Sequence, residues 1–123
     1  MSGRVVHFEI PFDDEKRATE FYTEAFGWNL QEVPGYTLVA SGPTKDLGPA
    51  EPGFINGGLL ARDPAAAASP VIVVDVPNVD DALAKIEKLG GTTVSGRRDV
   101  GGFGFAAYFK DPEGNLMGLW EAA

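Results

Sequence analysis

Apolar and polar residues alternate through Val5-Val6-His7-Phe8-Glu9-Ile10, the period of a half-buried strand. The pattern then changes to a helical one, in which Ala18, Phe21, Tyr22, Ala25 and Phe26 fall on one stripe. Asp13 or Asp14 supplies an N-cap for this helix and Gly27 a stop. The same order then recurs. Val71-Ile72-Val73-Val74-Asp75-Val76 reads as a strand, and Val79, Ala82, Leu83, Ile86 and Leu89 recur at helical spacing between an Asn78 cap and Gly90-Gly91. Further strands are predicted over residues 36–41 and 54–60 in the first copy, separated by an exposed, mobile Gly/Pro-rich loop over 42–53. In the second copy they fall over 92–95, 104–110 and 116–121, the last two joined by the turn Asp111-Pro112-Glu113-Gly114. Each copy therefore reads βαβββ, one over residues 5–60 and one over 71–121, with a proline-bounded linker over 61–70. A module of this size does not bury its sheet alone, so the expectation is a single α+β domain over 1–123 in which both copies take part.

Composition narrows the function classes. With 123 residues, 44% of them apolar, the chain has the material for a core. It has no cysteine, which removes disulfides, thiolate catalysis and Cys-ligated zinc. A formal net charge of -8 argues against nucleic-acid or anionic-membrane partners, whose phosphates are bound by clustered Lys and Arg. The compact basic pair Arg97-Arg98 reads as a solvated turn. No apolar stretch has signal-peptide or membrane-spanning length, so a soluble cytoplasmic protein is expected. No glycine-rich loop joins a strand to a helix N-terminus, and Gly-x-Ser-x-Gly is absent.

Strand alternation selects the residues that face a pocket. In the opening strand Val6, Phe8 and Ile10 are suited to lie under the helices, leaving Val5, His7 and Glu9 on the other face. In the last strand Met117 and Leu119 lie under the helices, while Leu116, Gly118 and Trp120 face the pocket. Phe54, Asn56, Gly58 and Leu60 share one face of the strand over 54–60. The polar groups so collected, His7, Glu9 and Asn56, with Trp120 beside them and room left by Gly58 and Gly118, suit a small-molecule site. His7 and Glu9 are the catalytic candidates, either as an acid/base pair or with the carboxylate fixing the imidazole tautomer. Phe103, Phe105 and Tyr108, in or beside the glycine-rich segment over 101–105, are expected to border the ligand. Phe21, Tyr22 and Phe26 are expected in the core, Trp28 as a plug between modules, and Asp111 and Asn115 as turn residues.

Taken in order, an opening strand with a histidine, Phe21-Tyr22 followed by Gly27, Gly90-Gly91, and Asp111-Pro112-Glu113-Gly114-Asn115 before Gly118-Leu119-Trp120-Glu121 resemble the vicinal oxygen chelate superfamily. This superfamily includes glyoxalase I, bleomycin-resistance proteins, fosfomycin-resistance enzymes and extradiol dioxygenases, and the chain is most similar to its short glyoxalase/bleomycin-resistance-like members. The resemblance implies two βαβββ modules curling into a cup-shaped mixed sheet with helices outside, a site within the cup, and a homodimer. Metal-dependent members place ligands on the opening and closing strand of each module. By that resemblance His7 is the surviving metal-ligand position. Its second-module match is Val71, and the closing-strand positions fall at Asn56 or Gly58 and at Gly118. One imidazole and one amide oxygen do not make a catalytic metal site. The expectation is therefore a metal-independent, cofactor-free protein binding a small organic molecule through His7, Glu9, Asn56, Gly58, Tyr108, Gly118 and Trp120. The alternatives are a divalent-metal-dependent glyoxalase-like lyase/isomerase or dioxygenase, its missing donors coming from a dimer partner, and a structural or regulatory domain.

Overall fold

The computed structural model describes residues 3–46, 48–63 and 68–123. Part of the expected linker, residues 64–67, and one position of the glycine-rich loop, residue 47, lie outside the described residues. The first module runs β1 (Val5–Phe12), α1 (Glu15–Phe26), β2 (Asn29–Val33), β3 (Tyr36–Ala40), the two-residue strands β4 (Thr44–Lys45) and β5 (Gly48–Pro49), and β6 (Asn56–Ala61). The second runs β7 (Val71–Asp75), α2 (Val79–Lys88), β8 (Thr92–Val100), β9 (Gly104–Lys110) and β10 (Leu116–Ala122). The fold is α+β, with the βαβββ order present twice. Two compact units follow this division: His7–Pro70, and the residues up to Val6 together with Val71–Ala123. In the latter unit the Asp75 N–H donates to the Arg4 carbonyl at 2.8 Å, which ties the start of the chain to the end of β7.

Within His7–Pro70 the strands lie in the order β2-β3-β6-β1. β3 runs antiparallel to both β2 and β6, and β1 runs parallel to β6 with His7 opposite Asn56 and Glu9 opposite Gly58. The other unit repeats the arrangement as β8-β9-β10-β7, antiparallel except for β10 with β7, where Gly118 lies opposite Val73. In both units the parallel pair encloses a helical crossover, as parallel pairing requires.

Helix ends follow local chemistry. The Asp14 side chain accepts from the Arg17 N–H at 3.0 Å, and Gly27 closes α1 in the left-handed region at φ 71°. Asn78 caps α2 by accepting from the Asp81 N–H at 2.8 Å. Asp80 and Asp81 in its first turn and Lys85 and Lys88 in its last complement the helix dipole.

Packing beneath the helices differs from expectation in the first module. α2 buries Val79 and Leu83 against Ala107 and Leu119, the core of its unit. α1 buries no residue, and Phe21 and Phe26 are 58% and 63% exposed, so the aromatic stripe is not core. Periodicity defines the stripe, and here the sheet covers little of it. Trp28 makes the link instead, stacked on Tyr22 of α1 at 5.0 Å and tilted against Phe8 of β1 at 5.7 Å. Phe8 in turn lies where a Gly57 side chain would stand.

Four strands depart from the sequence reading: β4 and β5 pair within the segment expected as a loop over 42–53, and β2 and β8 differ in the first and second module. β2 is an additional, mostly polar strand that hairpins onto β3 through Pro34 and Gly35, the latter at φ 76°. β8 continues past residue 95 to Val100 through register shifts between Thr93 and Arg98, so Arg97 and Arg98 belong to a strand and not to a solvated turn. Arg97 is held there by the face of Phe105, 3.5 Å from Cζ to the ring centroid, and lies 3.8 Å from Glu121 Oε1. Glu121 also accepts from the Val79 N–H at 2.8 Å, satisfying a donor at the start of α2. Asp111 has the turn role expected of it, accepting from the N–H groups of Glu113 and Asn115 at 2.9 Å each, and the Asn115 bond is the main cause of its lowered carboxyl pKa.

Candidate functional site

Alternation along β1 sets His7 and Glu9 on the same face, with Phe8 on the face that meets Trp28. Across the sheet from Glu9 lie Gly58 of β6 and then Leu38 of β3. Tyr36 begins β3 two residues before Leu38, so its ring rises on that same face and crosses Gly58. A β-carbon at Gly58 would overlap the Tyr36 hydroxyl and ring carbons. The glycine is thus what admits the tyrosine.

The result is a hydrogen-bonded line of three side chains. The Tyr36 hydroxyl donates to Glu9 Oε2 at 2.8 Å, and His7 Nε2 lies 2.8 Å from the same hydroxyl. Glu9 is only 6% exposed, while His7 and Tyr36 are half-buried. Burial pushes the His7 pKa below its ordinary value of 6.5, and the Glu9 carboxylate acts in the opposite sense without overcoming it. Neutral imidazole is thereby favoured, held in orientation by a phenol that is itself held by a carboxylate. Such an arrangement can accept or hold a proton at the ring, in the manner of other histidines oriented through a carboxylate.

The remaining candidates are distributed as follows. Asn56 lies opposite His7 in register, but its amide serves the neighbouring loop: Oδ1 accepts from the Ser41 N–H at 3.0 Å and Nδ2 donates to Thr44 Oγ1 at 3.0 Å. In the other unit Gly118 lies among Val71, Val73 and Tyr108, with Tyr108 directly opposite it on β9. Trp120 lies over Gly104, where a β-carbon would stand 2.5 Å from the indole Cζ2. Phe105 is on the α2 side with Ala107 and Leu119. The sequence reading did not single out Tyr36. The signal for it was the same-face glycine, Gly58, on a neighbouring strand.

Among the described residues no three His, Cys, Asp or Glu side chains gather as a metal-binding group. A groove of about 340 Å³ on the α1 side of the first module, lined by Ile10, Arg17, Phe21 and Arg62 among others, contains none of the three hydrogen-bonded residues.

Comparison with known proteins places the chain. Residues 4–42 match the model of the bleomycin resistance protein-like N-terminal family. A "Glyoxylase-like domain-containing protein" of Didymella fabae is 33% identical over 129 residues, covering 97% of this chain and 94% of that protein. The protein named "Putative glyoxylase CFP32" in Mycobacterium bovis is 31% identical over 124 residues, covering 93% of this chain. The chain spans only 44% of the length of that mycobacterial relative. Among solved structures, a Streptomyces coelicolor methylmalonyl-CoA epimerase variant in complex with 2-nitronate-propionyl-CoA shares the fold, with a TM-score of 0.69 and 20% identity over 100% of this chain and 96% of that one. The methylmalonyl-CoA epimerase of Mycobacterium tuberculosis does so with a TM-score of 0.65 and 19% identity over 98% of this chain and 88% of that one. From the repeated βαβββ order and the full-length relative, the chain belongs to the vicinal oxygen chelate superfamily, among its glyoxalase- and bleomycin-resistance-like members.

Proposed function

We propose that this protein binds a small organic molecule at the sheet face carrying His7, Tyr36 and Glu9, and that it does so without a resident metal ion. The observation that carries the reading is the hydrogen bond between His7 Nε2 and the Tyr36 hydroxyl at 2.8 Å. That bond engages one ring nitrogen, so His7 offers a metal at most the single donor Nδ1. The Asn56 amide is occupied by Ser41 and Thr44, and the module-two counterparts Val71 and Gly118 carry no donor atom in their side chains. A divalent ion with three or more protein ligands does not fit that donor set. A mixed face with a few oriented polar groups instead matches the usual make-up of an organic-ligand site. We place the protein in the cytoplasm as a homodimer, in keeping with its lack of cysteine and with its superfamily.

Thermal-shift titration of the metal-stripped protein with Zn²⁺, Ni²⁺, Mn²⁺ and Fe²⁺, alongside His7→Ala, tests the metal-free reading. The expected result is no saturating, His7-dependent stabilisation by any of the four. Stoichiometric stabilisation that disappears in His7→Ala would overturn it and favour a metal-dependent lyase or isomerase. Organic compounds that stabilise the stripped protein are expected to bind His7→Ala more weakly by ~1–2 kcal/mol, the range for one lost hydrogen bond.

A further inference from the structure

The three hydrogen-bonded side chains have a direction, and that direction specifies what a ligand must bring. A phenol carries one hydrogen, and Tyr36 gives it to the Glu9 carboxylate, which has none to offer in return. The Tyr36 oxygen then faces His7 with a lone pair, an arrangement that the Nε2–H tautomer of His7 completes and the Nδ1–H tautomer does not. Neutral imidazole has one such hydrogen, so Nδ1 is a bare acceptor. Among the described residues Nδ1 makes no hydrogen bond, and the buried side-chain polar atom without a partner is Thr19 Oγ1, not this nitrogen.

We propose that His7 meets its ligand through Nδ1 as a hydrogen-bond acceptor, that the ligand is a neutral, weakly acidic hydroxyl compound of the phenol or enol class, and that Tyr36 and Glu9 are positioning residues that set this polarity. The proposal rests on the small-molecule reading above. Its chemistry follows from the charge. As an O–H donor becomes more acidic, its bond to Nδ1 strengthens, and the positive charge developing on the ring is met through Nε2–H by Tyr36 and, behind it, Glu9. A carboxylic acid arrives ionised, with no hydrogen to give, at a protein of net charge -8 and near a buried Glu9. An ammonium group would lose its hydration at a half-buried ring. A neutral hydroxyl avoids both costs.

The chain has one histidine, so ¹⁵N-histidine NMR reports this ring alone. The probe is 4-cyanophenol, with its methyl ether 4-methoxybenzonitrile as the control that keeps the shape and loses the hydrogen. The free protein should show a protonated Nε2 and a bare Nδ1. Saturating 4-cyanophenol should move Nδ1 towards the protonated position, and the ether should leave it in place. Tyr36→Phe should convert the single tautomer to a mixture while the backbone amide spectrum stays folded. This readout separates positioning from a purely structural role. If the variant does not fold, the wild-type spectra still decide. A free protein in the Nδ1–H form overturns the assigned direction. An Nε2–H form with Nδ1 indifferent to the phenol, or equally sensitive to the ether, overturns the ligand class. In that case small-molecule binding stands or falls separately, on the thermal-shift screen.

Discussion

The two modules share a backbone plan and differ in what they do with one set of positions. Register aligns Gly58 with Gly118, because the first is opposite Glu9 and Leu38 and the second is opposite Val73 and Tyr108. On that alignment His7, Glu9 and Tyr36 correspond to Val71, Val73 and Ala106. One module carries a hydrogen-bonded polar line and the other carries aliphatic groups, with Val71 and Val73 both buried. The helices differ as well: α2 seals a core with Val79 and Leu83, whereas α1 rests on its sheet through Trp28. The second module has the arrangement that packing alone favours. A polar line in the first is tolerable where its members are hydrogen-bonded to one another, as these three are.

The pair of glycines gives the strongest test of that contrast. At Gly58 an alanine β-carbon would overlap the Tyr36 ring, so Gly58→Ala must expel the ring and break the line from His7 to Glu9. At Gly118 the nearest atom to such a carbon is Val73 Cγ2 at 3.0 Å, with Val71 Cγ1 at 3.4 Å and Tyr108 at 3.6 Å, contacts that a small shift relieves. Overpacking of this kind costs roughly 1–3 kcal/mol, and we expect Gly58→Ala near the top of that range and Gly118→Ala near the bottom. Urea denaturation of both variants measures the difference. Equal losses would mean that Tyr36 is not held over Gly58 as described.

Acid should weaken the first module through a group the second lacks. Burial lowers the His7 pKa in the folded state, so between the ordinary value of 6.5 and the lower folded value the unfolded chain binds more protons than the native one. Stability is therefore fully present above pH 6.5, falls as pH drops through that window, and levels off with respect to His7 below the folded pKa. The loss is bounded by about 1.4 kcal/mol for each unit of separation between the two values. Melting temperatures taken between pH 7.5 and 5 should show this limb in the wild type and not in His7→Ala. A wild-type curve that rises on acidification would reverse the sign and imply a histidine charged in the fold.

What the sequence made legible follows the range of the interactions. Caps such as Asp14 and Asn78 and the Asp111 turn are set by neighbours within a few residues, and they stand where the residue types put them. Alternation correctly paired His7 with Glu9 on one face and set Phe8 on the other. It did not reach Tyr36, because a residue at the start of a strand becomes part of the site only through the register of β3 on β6, which no local pattern encodes. The same limit hid the use of Asn56, whose amide is claimed by Ser41 and Thr44 across a loop. β2 escaped because its residues are mostly polar and its partner strand supplies the hydrophobic pattern.

The smallest effect is expected where the modules differ in helix burial. A stripe of Phe21, Tyr22 and Phe26 has the spacing of a core-facing helix surface, but a hydrophobic period records only that apolar residues share a side. Coverage depends on what lies beneath the helix, and beneath α1 it is Trp28 of the connection to β2, which stacks on Tyr22 and leaves Phe21 with an edge contact to the Tyr22 ring at 5.1 Å. Truncating an exposed side chain removes little that the unfolded chain would not also expose. Phe21→Ala should therefore cost about 0.5 kcal/mol, the scale of substitutions away from the core, at any protein concentration. A loss of about 2 kcal/mol or more that grows with protein concentration would show that this ring is covered in solution by a second copy of the chain. The contrast between the helices would then belong to the isolated chain, with α1 as part of the dimer's core.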